Sequence, residues 1–359
     1  MELRNNSEGR TTWSAIVDVY VYRVSAGQHP EPLIPDHLTE PASPLDSVRG
    51  SVFPHPTQTT VAQLLVIRTI MSLSMALGIS GCARSAASAP GPASVDLASR
   101  RAELSSVHEQ LGAQGARDFI GSVTDVIATD GFYSAALATL GKGPAAARTF
   151  LLRDTLNVRS VALWSVVRLD VSADGNDGYS YGYLDVVRPD GDTLPGAFKV
   201  YWRRDVSGRW MALALGRSRR ERGPKTWLPD SIRRRAVSQS VWREDSLMAR
   251  NAVIAVEAAF SDSAQRDMRA AFMAFAATDA AKIDGSRYVF GPQDIGEGFR
   301  TPPPGFAGIQ WQARWGSVSA ASDLAFNVGP VVQGNNAPGG LFFTIWKRQP
   351  DGAWRYVVD

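Results

Sequence analysis

Residues 202–210 read WRRDVSGRW, and residues 346–354 read WKRQPDGAW. In both stretches a tryptophan and two basic residues precede a glycine-containing turn, which a second tryptophan follows. A strand-like run that ends in such a turn and then resumes is typical of a β-hairpin. Its recurrence 144 residues later indicates that one kind of hairpin closes two parts of the chain.

Two shorter motifs recur in the same order. The tripeptide ATD occurs at 128–130 and at 277–279, and the dipeptide GP occurs at 143–144 and at 291–292. Their offsets of 149 and 148 residues differ little from the offset of the hairpin. Three paired motifs in one order predict that the chain contains two copies of one domain.

Each predicted copy begins with helical spacing of its apolar residues and continues with period-two runs. The Gly-Pro pair is typical of the first turn of a short helix. The strand-like runs are residues 162–171, 178–187, 196–205 and 209–217 in the first copy, and 309–318, 323–332, 340–349 and 353–358 in the second. Helices followed by an antiparallel meander predict an α+β fold, with helices packed on one face of a curved sheet.

The second copy also carries a set of segments that supports a family resemblance. They are FMAFAATD at 272–279, GPQDI at 291–295, SDLAF at 322–326 leading to Gly329, FTIWKR at 343–348 and DGAWRYVVD at 351–359. With these segments, residues 247–359 resemble the SnoaL-like branch of the nuclear transport factor 2-like superfamily. The first copy shares the Gly-Pro pair and the tryptophan-bearing ending, and it resembles the family less elsewhere.

This resemblance implies two tandem cone-shaped units, in each of which a bent sheet wraps around helices and encloses a pocket. The superfamily includes isomerases, cyclases, dehydratases, hydrolases and many members without known activity, so the fold alone does not decide the function. Its enzymes use Asp, His or Tyr side chains beside a small apolar substrate. Its members often dimerise through their sheets, which implies a homo-oligomer or an internal pseudo-dimer here.

A targeting signal is predicted at residues 68–82, which read RTIMSLSMALGISGC. The apolar run 69–80 is shorter than the roughly 20 residues that span a bilayer, and it suits a secretory signal. ISGC at 79–82 resembles the lipobox of bacterial lipoproteins, and Cys82 is the only cysteine of the chain. We therefore expect a signal peptide at 66–81 and a lipid on Cys82 that anchors the protein in the cell envelope, at an outer membrane facing the periplasm. The alternative is a buried strand that ends in a chance cysteine.

The remaining organisation follows from composition. Residues 1–65 are rich in proline and polar residues over much of their length, and we expect them to be disordered or absent because the start codon is wrongly assigned. The alternative is a genuine cytoplasmic extension. Residues 82–95 are predicted to form a flexible tether, followed by the first domain at 96–220, a basic linker at 221–240 and the second domain at 241–359.

The composition is that of an ordinary globular protein, with 44% hydrophobic residues, 20% charged residues and a net charge of +3. The basic runs 217–225 and 233–235 lack interleaved aromatic residues, so nucleic-acid binding is not expected. We predict a solvated linker there, with contact to an anionic membrane surface as the alternative. The sequence shows no metal-ligand cluster, phosphate-binding glycine loop or other cofactor motif, so no metal or cofactor is expected.

Several residues are candidates for a pocket. Asp130 and Asp279 are predicted to end helices, where they would act either as bases at the cone mouth or as turn residues. Trp311 and Trp315 are four apart, so in one strand both would face the same side, as an aromatic pocket wall or as core. His108 is predicted to be a solvated surface residue of the first helix.

The second copy alone offers an acid and a phenol near its Gly-Pro pair, Asp284 and Tyr288. A buried Asp284 could carry a proton and Tyr288 could donate to a developing negative charge; the alternative is that both residues only pack. Three functions are therefore compatible with the sequence. The favoured one is a non-catalytic module that binds a small apolar ligand or a protein partner. The others are an isomerase, cyclase or dehydratase with its site in the second copy, and a structural or assembly module.

Overall fold

The helices and strands fall into two successive groups, which we call the first half (residues 97–219) and the second half (residues 246–358). The computed structural model describes residues 95–135, 141–233, 242, 244–301, 308–333 and 338–359. The predicted leader, signal peptide, lipid-bearing Cys82 and nearly all of the predicted tether lie outside the described residues. Residues 93–359 belong to one compact unit.

The first half begins with helices and ends with long strands. Its helices are α1 (Leu97–Gly115), α2 (Phe119–Thr124), α3 (Gly143–Leu151) and a 3-10 helix (Thr155–Arg159). Its strands are β1 (Ile127–Ala135), β2 (Gly141–Lys142), β3 (Val161–Val171), β4 (Asp177–Val187), β5 (Thr193–Leu194), β6 (Gly196–Arg204) and β7 (Trp210–Arg219).

The second half follows a short helix, α4 (Asp230–Arg233), and has a similar sequence of elements. Its helices are α5 (Ser246–Arg266), α6 (Met268–Ala274) and α7 (Gly291–Glu297). Its strands are β8 (Ala276–Asp284), β9 (Arg287–Phe290), β10 (Gln310–Trp311), β11 (Trp315–Val318), β12 (Leu324–Val332), β13 (Pro338–Arg348) and β14 (Trp354–Val358). Its described residues contain no counterpart of the 3-10 helix or of β5, and two strands, β10 and β11, take the place of β3.

Both halves build a seven-stranded sheet with the same order. The first runs β2-β1-β7-β6-β4-β3, with β5 beside β4, and the second runs β9-β8-β14-β13-β12-β10, with β11 beside β12. All pairs are antiparallel except β1 with β7 and β8 with β14. The helices pack on these sheets, so the predicted α+β fold with helices on curved, mainly antiparallel sheets is confirmed.

The Gly-Pro and ATD repeats are explained by one contact in each half. Gly143 and Gly291 begin α3 and α7 with φ of 77° and 82°, in the left-handed region that favours glycine. A Cβ on Gly143 would lie 2.8 Å from the carbonyl oxygen of Thr129 in β1, and a Cβ on Gly291 would lie 3.4 Å from that of Thr278 in β8. The two motifs therefore recur together because the helix start packs against the ATD strand.

The hairpin repeat is explained in the same way. Gly208 and Gly352, with φ of 84° and 83°, occupy the turns that join β6 to β7 and β13 to β14. Each turn closes with a backbone hydrogen bond of 2.8 or 2.9 Å from the glycine N–H to the carbonyl three residues earlier. A register shift precedes Trp202 in β6 and Trp346 in β13, so both tryptophans follow a bulge at the same place in their sheets.

Three features of the fold differ from the sequence predictions. Strands β1 and β8 were not predicted; before β1, the apolar spacing of the preceding helices also continues into Ile127 and hides the change of period. Asp130 and Asp279 consequently lie within these strands and do not end helices. The predicted strand 309–318 is split into β10 and β11.

The predicted basic run 217–225 is only partly solvated. The guanidinium of Arg220 lies 3.0 Å from the carboxylate of Asp185, and both side chains are nearly inaccessible to solvent. Lys225 forms a second ion pair with Asp185 at 2.9 Å. Within this stretch, therefore, two of the basic side chains are held against the first sheet, in place of the fully solvated run that was predicted.

The two halves share an extended contact. Tyr179, Tyr181 and Tyr183 of β4 are fully buried and join the hydrophobic cluster of the second half. The ring of Tyr201 lies 4.7 Å from that of Phe326, measured between centroids. The outer face of the first sheet thus packs against the second half. Among the described helices, none is both long enough and apolar enough to cross a membrane.

Candidate functional site

The candidate site is a cavity of about 400 Å³ where the second half meets strands β6 and β7 of the first. This volume lies within the range of about 300–1,000 Å³ of small-molecule pockets. Most of the lining is apolar or aromatic; it includes Phe272, Phe299, Ile309, Trp311, Leu341 and Phe342. The rings of Phe272 and Phe299 are 4.2 Å apart between centroids, so part of the wall is close-packed. Such a lining favours an apolar ligand.

One ammonium group enters the cavity from the second half. Lys282 of β8 is partly buried, and its Nζ lies 4.8 Å from the ring centroid of Phe299 and 5.9 Å from that of Phe272. It donates one hydrogen bond, of 3.2 Å, to the carbonyl of Ile283. Burial lowers the pKa of Lys282, against the opposing effect of the negative charges of Asp359 and Asp284.

A second ammonium group enters from the first half. Lys199 of β6 stands between the buried residues Phe198 and Val200, and its Nζ lies 5.5 Å from the ring centroid of Phe343. Burial lowers the pKa of Lys199, and the positive charge of Lys282 acts in the same direction. The charge of Asp359 opposes this shift. The negative charge of Glu257 opposes it as well. Because Asp359 acts on the pKa of both lysines, the two ammonium groups lie in one electrostatic environment.

One carboxylate borders the same cavity. The Oδ1 atom of Asp359 accepts a 2.7 Å hydrogen bond from the hydroxyl of Thr344. Among the residues that the structure describes, no carboxylate oxygen lies within 4.0 Å of Nζ of Lys199 or of Lys282. Within the described part of the chain, the two ammonium groups of the cavity therefore have no direct ion-pair partner.

A buried acid lies behind the aromatic wall. Glu257 of α5 is fully buried, and its carboxylate accepts hydrogen bonds from the indoles of Trp311 and Trp346, each 2.8 Å long, and from the amide of Asn327 at 3.0 Å. Burial raises the pKa of Glu257 from 4.5 to about 7, although the three donors favour the charged form. Trp311 lines the cavity and Glu257 does not, so the acid holds the indole of Trp311 in place and would not itself contact a ligand.

The first half has a related polar cluster. The indole of Trp202 donates a 2.8 Å hydrogen bond to the hydroxyl of Ser180, which lies 2.9 Å from Nε2 of His108. His108 is buried, so its predicted position on the solvated surface is wrong. Burial lowers the pKa of His108 from 6.5 to about 4. The misassignment arose because its chain neighbours are polar, whereas its face of α1 is apolar.

The predicted acid and phenol are not positioned for proton transfer. The hydroxyl of Tyr288 is shared between the carbonyls of Gly182 and Phe198, each 3.1 Å away. Asp284 is exposed, so the structure does not supply the buried carboxylate that the proton-carrier hypothesis requires. Both border a surface depression beside Trp227, and Tyr288 also borders the cavity, but Tyr288 serves chiefly to join the halves.

The other predicted residues are dispersed. Asp130 is exposed, and Asp279 is paired with Arg168 at 2.7 Å; neither lines the cavity. Trp311 lines the cavity, whereas Trp315 is 41% exposed and lies 5.8 Å from Phe132 between ring centroids. The prediction that both tryptophans face the same side is wrong.

A bulge explains the error at the tryptophans. Trp311 pairs with Val331 and Trp315 with Val328, so a four-residue step in one strand opposes a three-residue step in its partner. The extra residue turns the second indole away from the first. The cavity residues Lys199, Lys282 and Asp359 were not predicted. The sequence does give an indication for the two lysines, because a lysine within an apolar strand is unusual.

The described residues contain no group of three or more His, Cys, Asp or Glu side chains that could hold a metal ion.

Comparisons with known proteins show weak structural similarity. No protein-family model matches the sequence, and no curated protein matches it. A nuclear transport factor 2-like protein with a cystatin-like fold from Novosphingobium aromaticivorans is 18% identical, with a TM-score of 0.28, over 34% of this chain and 83% of that chain. A cystatin-fold protein of unknown function from Nostoc punctiforme is 14% identical, with a TM-score of 0.27, over 33% and 90% of the two chains.

A provisionally named scytalone dehydratase from Novosphingobium aromaticivorans is 10% identical, with a TM-score of 0.29, over 34% and 85% of the two chains. At this level, the similarities do not assign an activity to the protein.

Proposed function

We propose that this protein is a binding module that holds a small, largely apolar ligand in the cavity at the junction of its two halves. The observation that carries the proposal is the cavity itself, with about 400 Å³ of space and a wall built mainly of aromatic and aliphatic side chains. A core without such a space would instead favour a structural or assembly role. The two halves serve as two copies of one domain, and each contributes part of the wall.

An enzyme is the second candidate, and Glu257 is the observation that favours it. A buried acid whose pKa is raised to about 7 could exchange protons near neutral pH. However, its carboxylate accepts three hydrogen bonds from Trp311, Asn327 and Trp346, and it does not line the cavity. Binding without catalysis is therefore the better-supported function.

The proposal includes a location. The segment 68–82 supports a lipid on Cys82 that anchors the protein at the cell envelope, with a tether between the lipid and the folded halves. A ligand-binding module held at a membrane in this way could take up a sparingly soluble compound there.

Binding can be tested with a neutral apolar fluorophore, N-phenyl-1-naphthylamine, together with native mass spectrometry for a co-purifying compound. Ile309→Trp should weaken the binding of the fluorophore about tenfold, because the indole fills part of the cavity that the fluorophore would occupy. The matched control is Val206→Trp, at a fully exposed turn residue, which should bind as the wild type does. Absence of saturable fluorophore binding and of any co-purifying compound would overturn the proposal.

A further inference from the structure

The two cavity lysines differ from three buried cations elsewhere in the chain. Arg168 pairs with Asp279 at 2.7 Å, Lys347 with Asp170 at 2.8 Å, and Arg220 with Asp185 at 3.0 Å. Within the described residues, Lys199 and Lys282 have no carboxylate within 4.0 Å. These three cations are therefore neutralised by direct contact, whereas among the described residues the two cavity lysines, like the partly buried Arg250, have no such contact.

An ammonium group in an apolar wall without a contacting carboxylate is costly. Removing a charge from water without an opposite partner destabilises the folded state, and the lowered pKa of Lys199 and of Lys282 reflects this cost. A neutral side chain of similar length would line the same wall without that cost. A negative charge on the ligand would offset the cost of burying the two ammonium groups. A role in binding an anion would therefore explain why lysines stand at both positions.

The charges that line the cavity also favour an anionic ligand. Its lining includes the cationic side chains of Lys199, Arg217 and Lys282 and, among the described residues, one side-chain carboxylate, that of Asp359. Arg217 donates a 3.1 Å hydrogen bond to the carbonyl of Leu194 inside the first half. The ammonium groups of Lys199 and Lys282 instead lie 5.5 Å and 4.8 Å from the ring centroids of Phe343 and Phe299. The excess of positive charge favours an anionic ligand.

We propose that the ligand is an amphiphile with an anionic head group, held between Lys199 and Lys282, and with an apolar body that packs on Phe272, Phe299 and Trp311. This inference rests on the proposed function, because it concerns the ligand of the same cavity. The two lysines come from different halves, so the head group bridges β6 and β8. The lysines thus select for charge while the aromatic wall selects for an apolar body.

The test is calorimetric titration with four decyl compounds that differ in the head group: decanoate, decyl sulfate, decanol and decyltrimethylammonium. The wild type should bind decanoate about tenfold more tightly than decanol, and should bind the cationic compound least. Decyl sulfate separates a general preference for anions from one for carboxylates, and tighter binding than decanol by either anion supports the inference. Equal binding of decanol and both anions would overturn it while leaving the proposed function standing.

Substitution of each lysine tests whether it causes the preference for decanoate over decanol. Lys199→Met and Lys282→Met each replace the ammonium group by an unbranched apolar side chain of similar length. Each should reduce the preference for decanoate over decanol about threefold or more without weakening the binding of decanol. The double variant should bind both compounds alike. Lys142→Met, at an exposed lysine outside the cavity, is the control and should keep the wild-type preference. An undiminished preference in the double variant would overturn the inference, and failure of all four compounds to bind the wild type would overturn the proposed function with it.

Discussion

Trp202 and Trp346 occupy matching places in the two sheets, each directly after a register shift in the hairpin that closes its half. Both indoles are fully buried, and each donates a 2.8 Å hydrogen bond, from Trp202 to Ser180 and from Trp346 to Glu257. The position is therefore shared while the polar partner differs. In the second half the partner is ionisable, and through Trp311 it is connected to the cavity wall.

The first prediction concerns the acid behind that wall. At pH 5, below the raised pKa of Glu257, Glu257→Gln should lower the free energy of unfolding by about 1–3 kcal/mol, because the amide nitrogen of glutamine cannot accept a hydrogen bond from an indole or amide donor, whereas both carboxyl oxygens can. Trp311 donates to one carboxylate oxygen, and Asn327 and Trp346 donate to the other, so neither orientation of the amide satisfies all three donors. Urea unfolding of both proteins measures the difference.

The control for this change is Glu109→Gln, at an exposed glutamate of α1. It makes the same chemical substitution away from any buried donor, so its effect should stay within about 0.5 kcal/mol. Equal stability of Glu257→Gln and the wild type would show that the three hydrogen bonds of the cluster do not require an acceptor on both oxygens.

The second prediction is a pair of opposite pH dependences. The pKa of Glu257 is raised from 4.5 to about 7, so between these values the folded protein holds a proton that the unfolded chain has released, and its stability falls as pH rises. The pKa of His108 is lowered from 6.5 to about 4, so in that window the unfolded chain binds the extra proton and stability rises with pH. Each slope is at most about 1.4 kcal/mol per pH unit.

Single variants should separate these two effects. Between pH 4.5 and 6.5 the stability advantage of the wild type over Glu257→Gln should shrink as pH rises, whereas its advantage over His108→Gln should grow. Comparison with the wild type at every pH cancels the contributions of other titrating groups. Differences that do not vary with pH, or that vary in the same direction for both variants, would contradict the prediction.

The fold was more predictable from the sequence than the site, for a physical reason. Gly143, Gly291 and the hairpin glycines satisfy local backbone requirements, so their motifs remain visible in each half. Lys199 and Lys282 come together only because one half packs against the other, and no local pattern records that contact. Strands β1 and β8 were missed because their pairing with β7 and β14 is parallel and formed over a long sequence separation.

The third prediction distinguishes packing from catalysis at the residues that the sequence singled out. Tyr288→Phe should lower stability by about 0.5–1.5 kcal/mol, because its hydroxyl is the donor to the carbonyls of Gly182 and Phe198 across the two halves. Asp284→Asn is the matched control, since Asp284 is exposed and the substitution should have almost no effect. Thermal unfolding of the three proteins measures both effects, and an unchanged melting temperature in Tyr288→Phe would contradict the assignment of its hydroxyl to the junction.

The last prediction tests the proposed anchor. If Cys82 carries lipid, metabolic labelling with radioactive palmitate should mark the wild-type protein, and Cys82→Ser should lose the label completely because no other cysteine is present. Ser85→Ala, in the predicted tether, removes a neighbouring hydroxyl and should keep the label. The labelled protein should partition into the detergent phase of a phase-separating detergent, and its first peptide should begin at Cys82. A label that survives in Cys82→Ser, or an N-terminal peptide that maps before residue 68, would show that the segment 68–82 is not a lipoprotein signal.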